Sequence, residues 1–237
     1  MDKYRLKLPL DENICFNFGD LSNLLEILLG ENGCPWDKEQ TLESLRKYLL
    51  EECYEAVDAI DHRDMDNLCE ELGDVLFQVM FISKLAQKDN GFSVENVIDR
   101  VCRKMISRHT HIFGDEKVAD SKDVEDLWEI NKKKEKEYKS FYDKLQSIPE
   151  SMPALMRAGK VMGKIKDENL NEAELINKAI EYLCKLRNNS NNTKVEDIGN
   201  LLLIICNISE QMQINAEFAL TNALKTYINK FENIGDR

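Results

Sequence analysis

Four carboxylates dominate the chemistry this sequence can offer. Glu52 and Glu55 stand three residues apart in Glu51-Glu52-Cys53-Tyr54-Glu55, and Glu71 and Asp74 repeat the spacing in Glu70-Glu71-Leu72-Gly73-Asp74. Residues three apart on an α-helix share a face, with Cβ atoms about 5–6 Å from each other. Glu52 and Glu71 also border the apolar stripe of their segments. If the two stripes pack together, four acids converge beside a core, where they cannot all stay ionised unpaired. A hard divalent cation resolves the conflict, and Mg²⁺ suits a shell of carboxylates and water, with Mn²⁺ as the substitute. The competing reading is a solvated acidic face. It accounts well for Glu51 and Glu70 but poorly for Asp74, a weak helix former at the mouth of an apolar helix.

A second group carries the opposite charge. Arg100, Lys104 and Arg108 recur every fourth residue and form a basic stripe in an acidic chain. Arg forks onto phosphate oxygens and Lys acts as a point charge, so the stripe suits a polyphosphate; a solvated edge paired with Asp99 and other acids is the alternative. Trp36 follows Cys34-Pro35 in a Gly-containing loop, where it either stacks on a base or packs the loop onto the body. Trp128 has the same two readings. His109 and His111 read as helix-end packing and His62 as polar surface.

Helices must position these groups. Apolar residues at helical spacing predict segments over about 21–29, 41–60 and 65–87, with a third long helix capped by Ser93. The stripe of the 41–60 helix comprises Leu42, Leu45, Leu49, Cys53, Ala56 and Ile60. Beyond Val75 the next helix is apolar nearly all round, as a buried helix is. A charge-rich helix over about 121–147 reads as a connector that buries little. The pattern then returns, with helices over about 171–186 and 216–231, and a capping box from Thr193 to Glu196 for a helix between them. Glu71-Leu72-Gly73-Asp74-Val75-Leu76 aligns with Asp197-Ile198-Gly199-Asn200-Leu201-Leu202, so the chain is read as two tandem helical-bundle repeats of an all-α fold.

Composition narrows the classes. Only 10 Gly and 4 Pro in 237 residues, with 43% hydrophobic residues, favour long helices around a core. A formal net charge of -12 repels a nucleic-acid backbone. The 7 Cys are odd in number and contain no C-x-x-C pair, which points to free thiols in a reducing, cytoplasmic setting, most of them acting as small hydrophobes in helices. No apolar run approaches the ~20 residues of a membrane helix, and no signal peptide is visible.

These residues, in this order, resemble a known family. Gly33-Cys34-Pro35-Trp36-Asp37 with Gln40-Thr41, the two acidic motifs, Arg108-His109-x-His111-x-Phe113, and the later Leu127-Trp128-Glu129 and Pro153-Ala154-Leu155-Met156-Arg157-Ala158 look like tandem MazG-type nucleoside triphosphate pyrophosphohydrolases. The resemblance implies an all-α fold and hydrolysis of nucleoside triphosphates to monophosphate and pyrophosphate, in nucleotide-pool house-cleaning. It implies Glu52, Glu55, Glu71 and Asp74 as Mg²⁺ ligands, Lys104 and Arg108 as phosphate contacts, and a homodimer. Glu51 is a candidate either for a group that supports the metal ligands or for the general base. On this reading residues 1–19 precede a catalytic domain at 20–120, a connector at 121–150 and a second domain at 151–237. That second copy carries Lys178, Glu181, Asp197 and Asn200 where the first has its acids, and Thr226 and Lys230 for Lys104 and Arg108, so it is read as degenerate. A phosphoribosyl-ATP or dUTP pyrophosphohydrolase, or a non-catalytic interaction module, are the alternatives.

Overall fold

The computed structural model describes residues 6, 13–135, 138–165, 170–188 and 194–231. Among them the regular elements are all α-helices, in two compact units at residues 1–135 and 136–237. The first unit holds α1 (Phe18–Leu28), α2 (Pro35–Lys38), α3 (Leu42–His62), α4 (Met65–Lys88), α5 (Val94–Arg108), α6 (Thr110–Phe113) and α7 (Ser121–Glu135). The second holds α8 (Phe141–Gln146), α9 (Ala154–Lys164), α10 (Glu172–Asn188), α11 (Lys194–Gln211) and α12 (Ala216–Asn229).

The hairpin of α3 and α4 organises the first unit. Thr41 starts α3 with a reciprocal cap: Ser44 N donates to Thr41 Oγ1 at 3.1 Å, and Thr41 N donates to Ser44 Oγ at 2.9 Å. Arg63 ends it in the left-handed region at φ 56, which lets Asp64 N donate back to Ala59 O at 3.0 Å. Asp64 then caps α4 by accepting from Asn67 N at 3.1 Å. Two residues therefore reverse the chain, and α4 returns along α3.

The core lies at the end of the hairpin remote from that turn. Leu25, Leu45, Met80, Phe81, Leu85 and Val94 are buried there, with Leu21, Leu29, Tyr48, Phe77 and Ile82 packed against them. Lys84 of α4 adds an ion pair to Glu26 of α1 at 3.0 Å. Between α1 and α2 the chain folds back so tightly that Cys34 N donates to Leu28 O at 2.8 Å. A Cβ on Gly33 would meet that carbonyl oxygen at 2.1 Å, so only glycine fits.

Three expectations need correction. The buried face of α3 is Leu45, Ala56 and Ala59, while Leu42, Cys53 and Ile60 are exposed. The inward stripe is thus rotated toward Glu52, which is half-buried. The charge-rich stretch is two helices rather than one: α7 packs on α5, and Ser140 starts α8 by accepting from Asp143 N at 3.1 Å. The thiols are mostly on the surface, Cys15, Cys53, Cys69, Cys102 and Cys184 being exposed and Cys206 buried. In the second unit α11 packs between α9 and α10, with Leu175 and Cys206 buried. The capping box at Thr193 lies outside the described residues.

A non-glycine residue in the left-handed region carries a steric cost at its Cβ. Arg63→Gly should therefore raise unfolding stability by about 0.5–1 kcal/mol, read as a higher urea midpoint at unchanged slope.

Candidate active site

At the turn end of the hairpin the acids meet. Glu52 and Glu55 come from the second half of α3 and Glu71 from the first half of α4, and one carboxylate oxygen from each lies within 4.8 Å of the others. Among the described residues no other trio of His, Cys, Asp or Glu side chains comes this close. Glu52 and Glu71 are half-buried, whereas Glu51, Glu55 and Asp74 are exposed. Asp74 stands outside the trio, yet its charge is the strongest of those that act on Glu52.

The electrostatics follow from this crowding. Burial raises the Glu52 carboxyl first, and repulsion from Asp74, Glu55, Glu71 and Glu51 raises it further. Glu71 is raised in the same way, by burial, by Glu55 and Asp74, and by a hydrogen bond shared with Glu55. Carboxylates that repel one another at this range and offer only oxygen form the donor set that a hard divalent cation takes. The residues present fit Mg²⁺ or Mn²⁺.

The basic residues lie elsewhere in the same unit. Lys104 is exposed on α5. Arg108, at the end of α5, donates to Glu135 of α7 through Nη2 at 2.6 Å and through Nε at 3.1 and 3.2 Å. Its guanidinium sits over the Trp128 ring, 5.0 Å from the centroid. Arg108 and Ser107 together hold the Glu135 carboxyl at about 2, well below the ordinary range, so it stays ionised in neutral solution. Asp99 pairs with Arg103, at 2.8 Å, and not with the stripe.

The aromatic and His residues divide. Trp36 packs edge-on against Tyr48 at 5.9 Å and keeps 52% of its surface exposed. Trp128 meets His109 edge-on at 5.1 Å. His109 Nδ1 contacts Met105 O at 2.6 Å, which is helix-end packing as expected. Sequence reasoning missed Glu135. Its partner lies 27 residues away, and a Glu among lysines carries no periodic signal that marks it.

Residues 40–113 match the model of the MazG nucleotide pyrophosphohydrolase domain. The nucleoside triphosphate pyrophosphohydrolase of Escherichia coli K12 is 35% identical over 213 residues, which are 86% of this chain and 81% of that protein. The chain belongs to the MazG family. A second MazG relative, the nucleoside triphosphate pyrophosphohydrolase/pyrophosphatase of Thermotoga maritima, is 34% identical over 91% of this chain and 84% of its own. A crystal structure of a mazG-related protein from Thermotoga maritima is 31% identical, covers 48% of this chain and 98% of that one, and has a TM-score of 0.43. As a MazG protein the chain is an enzyme of the hydrolase class. The matched stretch contains the acid trio, Asp74, Lys104 and Arg108.

Repulsion inside the trio opposes folding when no cation is bound. Glu71→Gln should raise the melting temperature of the EDTA-treated protein by a few degrees and blunt the stabilisation that added Mg²⁺ gives the unaltered chain. Thermal scans with and without Mg²⁺ check both.

Proposed function

We propose that this chain cleaves nucleoside triphosphates between the α and β phosphates, releasing monophosphate and pyrophosphate, with Mg²⁺ or Mn²⁺ as cofactor. The observation that carries the reading is the trio of Glu52, Glu55 and Glu71, with oxygens within 4.8 Å of one another, inside the MazG-matched stretch. Those three and Asp74 would hold the ion. When bound, it supplies positive charge to the triphosphate and polarises the phosphoryl group under attack.

The chain's own residues supply the rest. Lys104 and Arg108 neutralise phosphate charge, Arg108 by its fork and Lys104 as a point charge. Glu51, exposed beside Glu52, accepts a proton from the water that attacks the α-phosphorus. Electrons pass to the bridging oxygen and pyrophosphate departs. The exposed part of Trp36 offers a surface for the base. The task is house-cleaning of a cytoplasmic nucleotide pool. A net charge of -12 disfavours nucleic acid as partner, and among the described residues no helix is long and apolar enough to cross a membrane.

A homodimer belongs to the same proposal. Leu50, Tyr54 and Val57 of α3 and Leu72 and Leu76 of α4 are exposed apolar residues beside the acids. Gly73 sits among them, and a Cβ there would touch nothing within 4 Å. A helical glycine costs about 1 kcal/mol relative to alanine, and among the described residues nothing requires it. A second copy packed on this face would need both the apolar surface and the close approach. The second unit is then a packing repeat. Asp197 is buried there with Oδ2 lacking a hydrogen-bond partner, while Lys178 and Glu181 are exposed.

Phosphorus NMR of the products tests the bond cleaved: monophosphate and pyrophosphate are expected, whereas diphosphate with orthophosphate overturns the proposal. Exhaustive EDTA treatment should abolish turnover and Mg²⁺ should restore it.

The division between repeats has its own check. Glu55→Gln should lower turnover by roughly a hundredfold or more, since it deletes a ligand charge. Glu181→Gln should leave turnover near that of the unaltered chain. Equal damage from the two would make the second unit catalytic.

A further inference from the structure

The guanidinium offered to the phosphates is already engaged. Glu135 accepts three hydrogen bonds from Arg108, the shortest at 2.6 Å, and a fourth from Ser107 Oγ at 2.9 Å. Trp128 covers the guanidinium, and the Arg108 side chain is only 11% exposed. Lys104 also acts on Glu135, its charge favouring the ionised carboxylate. Both cations proposed for the polyphosphate therefore act on one carboxylate.

A carboxylate and a phosphate present the same thing to a guanidinium, two oxygens that accept parallel N–H bonds. They cannot share one edge of it, and the little surface Arg108 leaves open gives an alternative edge scant room. We infer that Glu135 is an internal competitor for the phosphate site, filling the Arg108 fork so that a nucleoside triphosphate binds by displacing it. This rests on the proposal that Arg108 binds phosphate.

The rival role for Glu135 is to position Arg108 for the substrate, and charge separates the two. An ionised carboxylate in contact with Arg108 opposes a polyanion there, so removing its charge should strengthen binding. A positioning residue has the opposite effect when lost. Occupancy of the fork by Glu135 lowers the fraction of molecules competent to bind, and apparent affinity falls by that fraction.

Glu135→Gln keeps the shape and removes the charge. The experiment measures KM for a nucleoside triphosphate, together with equilibrium binding of pyrophosphate in Mg²⁺, in the full chain and in this variant. Expected is a fall of about tenfold in both KM and the pyrophosphate dissociation constant. An unchanged or raised value in a folded variant, checked by circular dichroism and melting, overturns the inference. If Glu135→Gln does not fold, Glu135→Asp takes its place. It draws the carboxylate back by one methylene, so KM must still fall, and an unchanged or raised KM is again refutation. Arg108→Gln run in parallel separates the failures. A raised KM there with no gain from Glu135→Gln refutes only the competition. No effect of Arg108→Gln removes Arg108 from the phosphate site and the inference with it.

Discussion

Like-charge repulsion among Glu52, Glu55 and Glu71 is the constraint on which the first unit depends. Side chains that repel one another drift apart unless the backbone that carries them is held, and here both ends of the hairpin hold it. At one end Arg63 and Asp64 reverse the chain within two residues and fix which turns of α3 and α4 face each other. At the other, Leu45, Phe81 and Leu85 are buried with Leu25 of α1. The acids sit between the turn and the core, close enough to water to stay usable and close enough to apolar surface for Glu52 and Glu71 to be pushed upward. The crowding proposed to serve function opposes stability at this place, and the packing of α1, α3 and α4 offsets the cost.

Much of this was legible in the sequence because it is local. The three-residue spacing of the acids, the cap at Ser93, and the length of the apolar helix after Val75 are properties of contiguous segments, and the helices form where those signals lie. The phase of α3 was less legible. It carries apolar residues on more than one face, and residue type does not say which face a neighbour covers: Ala56 and Ala59 are buried, whereas Ile60 and Leu50, larger and more apolar, are exposed. The Arg108–Glu135 pair was not legible at all. It joins two charged helix surfaces whose meeting is set by how α7 lies on α5, and no periodicity encodes that.

If the second unit is a repeat of the first, as proposed, it carries the helical pattern without the crowding. In the proposed alignment of the two units Asp197 takes the place of Glu71, with Lys178 and Asn200 in place of two of its acidic neighbours, and no second trio forms among the described residues. Burial of Asp197 with Oδ2 unpartnered is a cost with no visible gain in that unit. The apolar framework persists, with Cys206 of α11 buried as Met80 of α4 is. Packing is thus the part of the pattern that the two units share.

The two-residue reversal at Arg63 and Asp64 has a consequence for how the protein acquires its site. All four acids lie between Glu52 and Asp74, on helices that adjoin in sequence. Bringing them together closes only a short loop, with little entropy lost in joining distant parts of the chain. Contacts of such low order are the ones a folding chain can make early. The turn therefore brings the two acid-bearing helices alongside each other on the timescale of the hairpin itself, and the docking of α1 then holds the carboxylates together against their repulsion. A nascent chain that has emerged only as far as α4 already contains every acid of the site.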